Sequence, residues 1–127
     1  MKKDIATRAD IKMILQQFYD SLLLDEKMIP FFEDILKENS LEQHLEVITD
    51  FWSDILLGTK LYKNNTMQKH LDKNRSVKFE KEHFKIWTSY LHKTIEKSFE
   101  GNLAERMKQS ATSIASVMQI KMNLFAK

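Results

Sequence analysis

The sequence predicts an all-α protein. Three observations carry this: apolar residues recur at helical spacing along each long segment, only two glycines and one proline interrupt 127 residues, and small polar residues stand where helices must begin. Seven methionines and few β-branched runs add to the helical bias, and nearly exclude a turn-rich β architecture.

The first predicted helix runs from about Ala9 to Leu24, with Ile11, Ile14, Leu15, Phe18, Tyr19 and Leu22 as its stripe. Thr7 followed by Asp10 is its start signal. In Met28-Ile-Pro-Phe-Phe-Glu-Asp-Ile-Leu36, Pro30 can only open a turn or short helix, so the chain reverses before Phe31 and Phe32. Ser40-Leu-Glu-Gln43 reads as a capping box opening a helix with Leu41, His44, Leu45, Ile48, Trp52 and Ile55 on one face, ended by Gly58. Another helix spans about Glu80 to Glu100, with Phe84, Trp87, Leu91 and Ile95 as its stripe and Gly101 as its stop. Asn102-Leu-Ala-Glu105 reads as a capping box for the last helix, whose stripe is Met107, Ala111, Ile114, Ala115, Met118, Met122 and Phe125. Between Gly58 and Glu80 lie roughly twenty weakly periodic residues, whereas bundle connections usually take ~2–8. That stretch, with Tyr62, His70, Lys73 and Arg75, is predicted to have a job beyond connection.

Composition narrows the function. Hydrophobic residues at 43% and charged residues at 30% fit one folded domain over residues 1–127. Twenty basic and eighteen acidic residues are interspersed, so no basic stripe exists for nucleic acid. Without cysteine there is no disulfide, thiolate metal site or iron–sulfur cluster, and any metal must be held by histidine or carboxylate. No segment has the apolar length of a membrane span, and charges interrupt any signal-peptide core, so a soluble cytoplasmic protein is expected.

Four histidines are separated by their helical positions. His83 and His92 fall on polar faces and are expected to be solvated. His44 falls on an apolar stripe between Leu41 and Ile48 and should point inward, either as a core histidine with satisfied nitrogens or as a functional group. Tyr19 and Trp87 are inward in the same way, each carrying a polar donor that core packing alone would also tolerate. Three inward donors come from three separate helices. Glu80-x-x-His83 lacks the second motif a di-iron bundle needs, and neither a zinc-protease motif nor a phosphate-binding glycine loop is present.

The order and spacing of Phe18-Tyr19, Ile29-Pro-Phe-Phe32, His44-Leu45, Phe51-Trp52, Tyr62-Lys-Asn-Asn-Thr-Met-Gln-Lys-His70, His83-Phe-Lys-Ile-Trp87 and Phe99-x-Gly101-x-x-Ala104 resemble the group III truncated haemoglobins over nearly the whole chain. The resemblance implies a two-over-two helical sandwich around haem b. It also implies His70 as the proximal iron ligand of a penta-coordinate iron, with Tyr19, His44 and Trp87 on the distal side. It puts Phe32 against the haem, with Phe31 as the neighbouring alternative. The glycine motifs of other truncated haemoglobin groups are missing, as group III implies. Ile48, Phe51, Trp52, Tyr62 and Phe84 are further candidates for lining the haem, and Lys69 or Arg75 for pairing with a propionate. The implied ligands are oxygen, nitric oxide or carbon monoxide. An enzyme using the same pocket for nitric oxide oxidation or peroxide reduction with a reductase partner, and a cofactor-free helical interaction module, are the alternatives. Two roles stay open for His44, a gate and a proton donor.

Overall fold

The computed structural model describes residues 2–62 and 79–121. Helix α1, Arg8–Leu22, begins at a complete capping box: the Thr7 hydroxyl accepts from the Asp10 amide, and the Asp10 carboxylate accepts from Thr7 and Ala6. Its inward stripe is the predicted one, from Ile11 to Leu22. A 3-10 turn, Ile29–Phe32, carries Pro30 in its first positions and passes directly into the short helix α2, Glu33–Lys37.

Helix α3, Leu41–Leu57, follows, and here the capping-box expectation fails. Ser40 makes no side-chain cap bond, because it closes the preceding helix instead. Asn39 takes a left-handed φ of 54°, the Asn39 amide donates to Leu36 and the Ser40 amide to Ile35, which is the Schellman pattern of a helix end. The Ser40 hydroxyl turns the same way, onto the Ile35 carbonyl. Gly58, at φ 72°, ends α3 as expected.

Helix α4, Lys81–Ser98, and helix α5, Asn102–Lys121, complete the described elements. His83, expected in solvent, is half-buried: its Nδ1 accepts from the Glu80 amide at 2.9 Å and its ring stands edge-on to Phe31. His92, also expected in solvent, is half-buried with Nε2 3.0 Å from the Lys108 carbonyl of α5. A carbonyl only accepts, so Nε2 carries the hydrogen. The α5 cap is a second correction. The amides of Leu103 and Ala104 donate to the Asp4 carboxylate, both at 2.9 Å, so the cap comes from the other end of the chain and not from Asn102. Gly101 makes room for it with φ 139°; a Cβ there would lie 2.5 Å from Asp4 Cγ. One parallel bridge, Lys3 to Phe99, lays the N-terminal segment along this corner.

Helix α1 packs on α3 and on α4, α4 on α5, and α3 on α5, two helices over two. One contiguous core joins them, including Ile14 of α1, Trp52 of α3, Leu91 of α4 and Met107 of α5. The only β pairing among the described residues is that single bridge, and no described helix is long and apolar enough to cross a membrane.

Candidate functional site

About three helical turns from Arg8 towards the C-terminal end of α1, Tyr19 is 6% exposed, between Leu15 and Leu22 on the buried stripe. Its hydroxyl cannot be left bare in that setting. It finds His44, on the first turns of α3, with Oη 2.8 Å from Nε2. Three rings stand edge-on to the phenol: His44 at 5.2 Å, Phe18 at 5.4 Å and Phe32 at 5.4 Å. Trp87, half-buried on α4, joins through Phe18 at 5.9 Å. Residues far apart in the chain thus converge from α1, the 3-10 turn, α3 and α4.

Burial pushes the Tyr19 phenol far above its ordinary pKa, so it stays protonated. It owns one hydrogen to donate, which Nε2 accepts in the tautomer that carries its hydrogen on Nδ1; a ligand atom brought into the same space is another acceptor. The pair is therefore a donor with a partner that can be exchanged.

The remaining expected residues fall into two further groups. Phe51, half-buried on α3, stands edge-on to Tyr62 at 5.2 Å and to Trp52 at 5.6 Å, while Trp52 itself is 2% exposed in the core. Ile48, one turn after His44, packs against the core. Phe84, buried on α4, lies 5.5 Å from Phe79, and Phe79 stacks on Phe31 at 4.2 Å. Lys69, His70 and Arg75 lie outside the described residues, as do Met122 and Phe125.

Two anchoring residues escaped the sequence reading. The Asp54 carboxylate accepts from the amides of Leu61 and Tyr62, both at 2.9 Å, and from the Thr59 hydroxyl, which holds Tyr62 beside Phe51. Those amides, with the hydroxyl, keep the Asp54 carboxyl below its ordinary range. Phe79 was legible in principle: it precedes the cap Glu80 and meets Phe84 five residues on, the spacing of a hydrophobic staple.

Fold and layer order define an all-α sandwich of two helices over two. No family model matches the chain. Its sequence is 26% identical over 121 residues to the group 3 truncated hemoglobin ctb of Campylobacter jejuni, covering 94% of this chain and 93% of that protein. The crystal structure of a group III truncated hemoglobin from Campylobacter jejuni superposes with a TM-score of 0.87 at 24% identity, over 100% of this chain and 99% of that one. The chain has the truncated-haemoglobin fold and is similar to the group III members, as the order of its motifs implied.

Proposed function

We propose that the chain is a haem protein that binds oxygen, nitric oxide or carbon monoxide, with His70 as the iron ligand and Tyr19, His44 and Trp87 facing the bound ligand. The observation that carries the reading is the Tyr19–His44 hydrogen bond inside an aromatic nest built by separate elements. When bound, haem b would supply an iron able to take up a diatomic ligand, with His70 to hold it. The residues do the rest. Tyr19, kept neutral by burial, donates its hydrogen; the Trp87 indole donates a second; each such bond is worth ~0.5–1.5 kcal/mol, and more towards a ligand carrying negative charge. Phe18 and Phe32 hold the phenol in place and keep water from competing for it.

In this reading His44 is a gate. It accepts the Tyr19 hydrogen while the pocket is closed and surrenders it when a ligand enters, swinging on α3. Phe32, Ile48, Phe51 and Tyr62 line the cofactor with Trp52 and Phe84 behind, and Lys69 or Arg75 pairs with a propionate. The reading takes the protein as cytoplasmic, its iron as penta-coordinate and a reductase as its partner. The second reading, nitric oxide oxidation or peroxide reduction, uses the same phenol and imidazole as proton carriers.

Purified protein with haem should show a strong visible-region band that shifts with carbon monoxide. His70→Ala should abolish stable haem incorporation. A His70→Ala protein with unchanged haem content and ferrous spectrum overturns the ligand assignment, and a wild-type chain that takes up no haem leaves the cofactor-free helical module.

A further inference from the structure

The first turns of α3 carry His44, yet their N-terminal end has no side-chain cap, since Ser40 is engaged by the end of α2. Charge fastens them from outside. Lys12 of α1 places Nζ 2.7 Å from Glu42 Oε1 and 2.7 Å from Glu46 Oε1. Arg8 extends the ladder, with Nη2 2.6 Å from Glu46 Oε2 and 2.8 Å from Asp50 Oδ1. Glu42, Glu46 and Asp50 follow one another at four-residue steps, so without these cations they would repel along one face of α3.

The pairing order fixes direction. Arg8 meets the later carboxylates and Lys12 the earlier ones, so α1 and α3 run antiparallel, and the ladder climbs towards Tyr19. Arg8, Lys12, Leu15 and Tyr19 share one stripe of α1 by helical spacing, so the separation the ladder sets is continuous with the separation across the Tyr19–His44 bond. Lys12 is the more telling of the two cations. It bridges a carboxylate before His44 and one after it, and so spans the turn that a swinging His44 must disturb.

We propose that Lys12, reinforced by Arg8, is a positioning residue that clasps the first turns of α3 to α1 and keeps His44 Nε2 within hydrogen-bond reach of Tyr19 Oη, so that salt, by screening the clasp, frees His44. The inference rests on the reading of His44 as a gate but uses only groups of this chain. Exposed pairs are individually weak and salt-sensitive, which suits a contact that tunes a motion and does not hold the fold.

The test compares wild type, Lys12→Met, Lys12→Arg and Tyr19→Phe, in the protein as purified, at low and high sodium chloride. The readouts are the 15N signals of the His44 imidazole and amide hydrogen exchange along α3 and α4. Lys12→Met should move the His44 signals towards those of Tyr19→Phe and speed exchange in the first turns of α3 by about three- to tenfold, the span of one or two surface pairs. Exchange in α4 should stay unchanged, and Lys12→Arg should restore both readouts. High salt should shift wild type in the same direction and shift Lys12→Met less, through the Arg8 pairs that remain. His44 signals in Lys12→Met identical to wild type at both salt concentrations overturn the proposal, as does loosening spread equally over α4. If Lys12→Met does not fold, Glu42→Gln removes one arm of the clasp and should give a smaller shift of the same sign; no shift overturns it equally. Neither readout needs haem, so a chain that never binds haem defeats the proposed function and still decides this one.

Discussion

Tyr19 concentrates the chemistry because a buried phenol that cannot ionise must be a donor or a liability. Tyr19→Phe removes the hydrogen and leaves His44 Nε2 without it, while the ring contacts to Phe18 and Phe32 survive. In the proposed pocket, oxygen release should then accelerate by roughly tenfold, the equivalent of one hydrogen bond of ~1.4 kcal/mol. Carbon monoxide, which gathers less negative charge, should respond less. Trp87→Phe should act in the same direction, and the double variant should be non-additive, since both donors serve one ligand. Stopped-flow release rates on the three variants measure this; unchanged rates at normal haem content would make both residues packing groups. The inward direction of each side chain was legible from its neighbours at three- and four-residue spacing. Their mutual bond was not, because it depends on how α1 crosses α3, which periodicity within either helix does not encode.

Helix ends show the same division between local and distant causes. The Thr7–Asp10 box and Gly58 were readable because their partners lie within one turn. Ser40 and Asn102 carry equally good local signals, yet each lost to a competitor: the Schellman end of α2 took Ser40, and Asp4 reached the α5 amides before Asn102 could serve. Sequence separation of about a hundred residues hides such a cap from any local motif. Although slight burial opposes it, the amides of Leu103, Ala104, Ile5 and Asn102 hold the Asp4 carboxyl below its ordinary range. A depressed carboxyl contributes stability above the unfolded-state pKa, and that contribution is lost as pH falls through the folded one. Asp4→Ala should therefore cost ~0.5–2 kcal/mol at neutral pH, and the difference from wild type should shrink on acidification below about pH 4. Thermal unfolding across pH measures it. Gly101→Ala should be at least as harmful, because it combines a forbidden φ with a Cβ driven into Asp4.

Across the whole molecule, helical periodicity gave the elements and their inward faces but not their layering, which came only with the family resemblance, since amphipathic stripes say what is buried and not against which neighbour. The layering has a mechanical consequence. Helix α1 packs broadly on both α3 and α4, whereas α5 packs broadly on α4 and only lightly on α3, and Ile14, 1% exposed, sits in the core that α1 shares with them. Two helices over two with no shared element would come apart as separate pairs; a shared central helix couples them into one unfolding event. The two tryptophans are placed to report it, Trp52 on α3 and Trp87 on α4. In Trp52→Phe and in Trp87→Phe, the fluorescence of the surviving tryptophan should follow the same urea transition as the helical circular dichroism of that variant. Ile14→Ala, which empties a buried site in α1, should lower stability by ~2–5 kcal/mol and move both signals together. If in either variant the surviving tryptophan and the circular dichroism lose structure at different urea concentrations, α1 does not join the pairs. The Tyr19 cluster, which draws His44 from α3 and Trp87 from α4, would then lack the rigid frame on which its proposed chemistry depends.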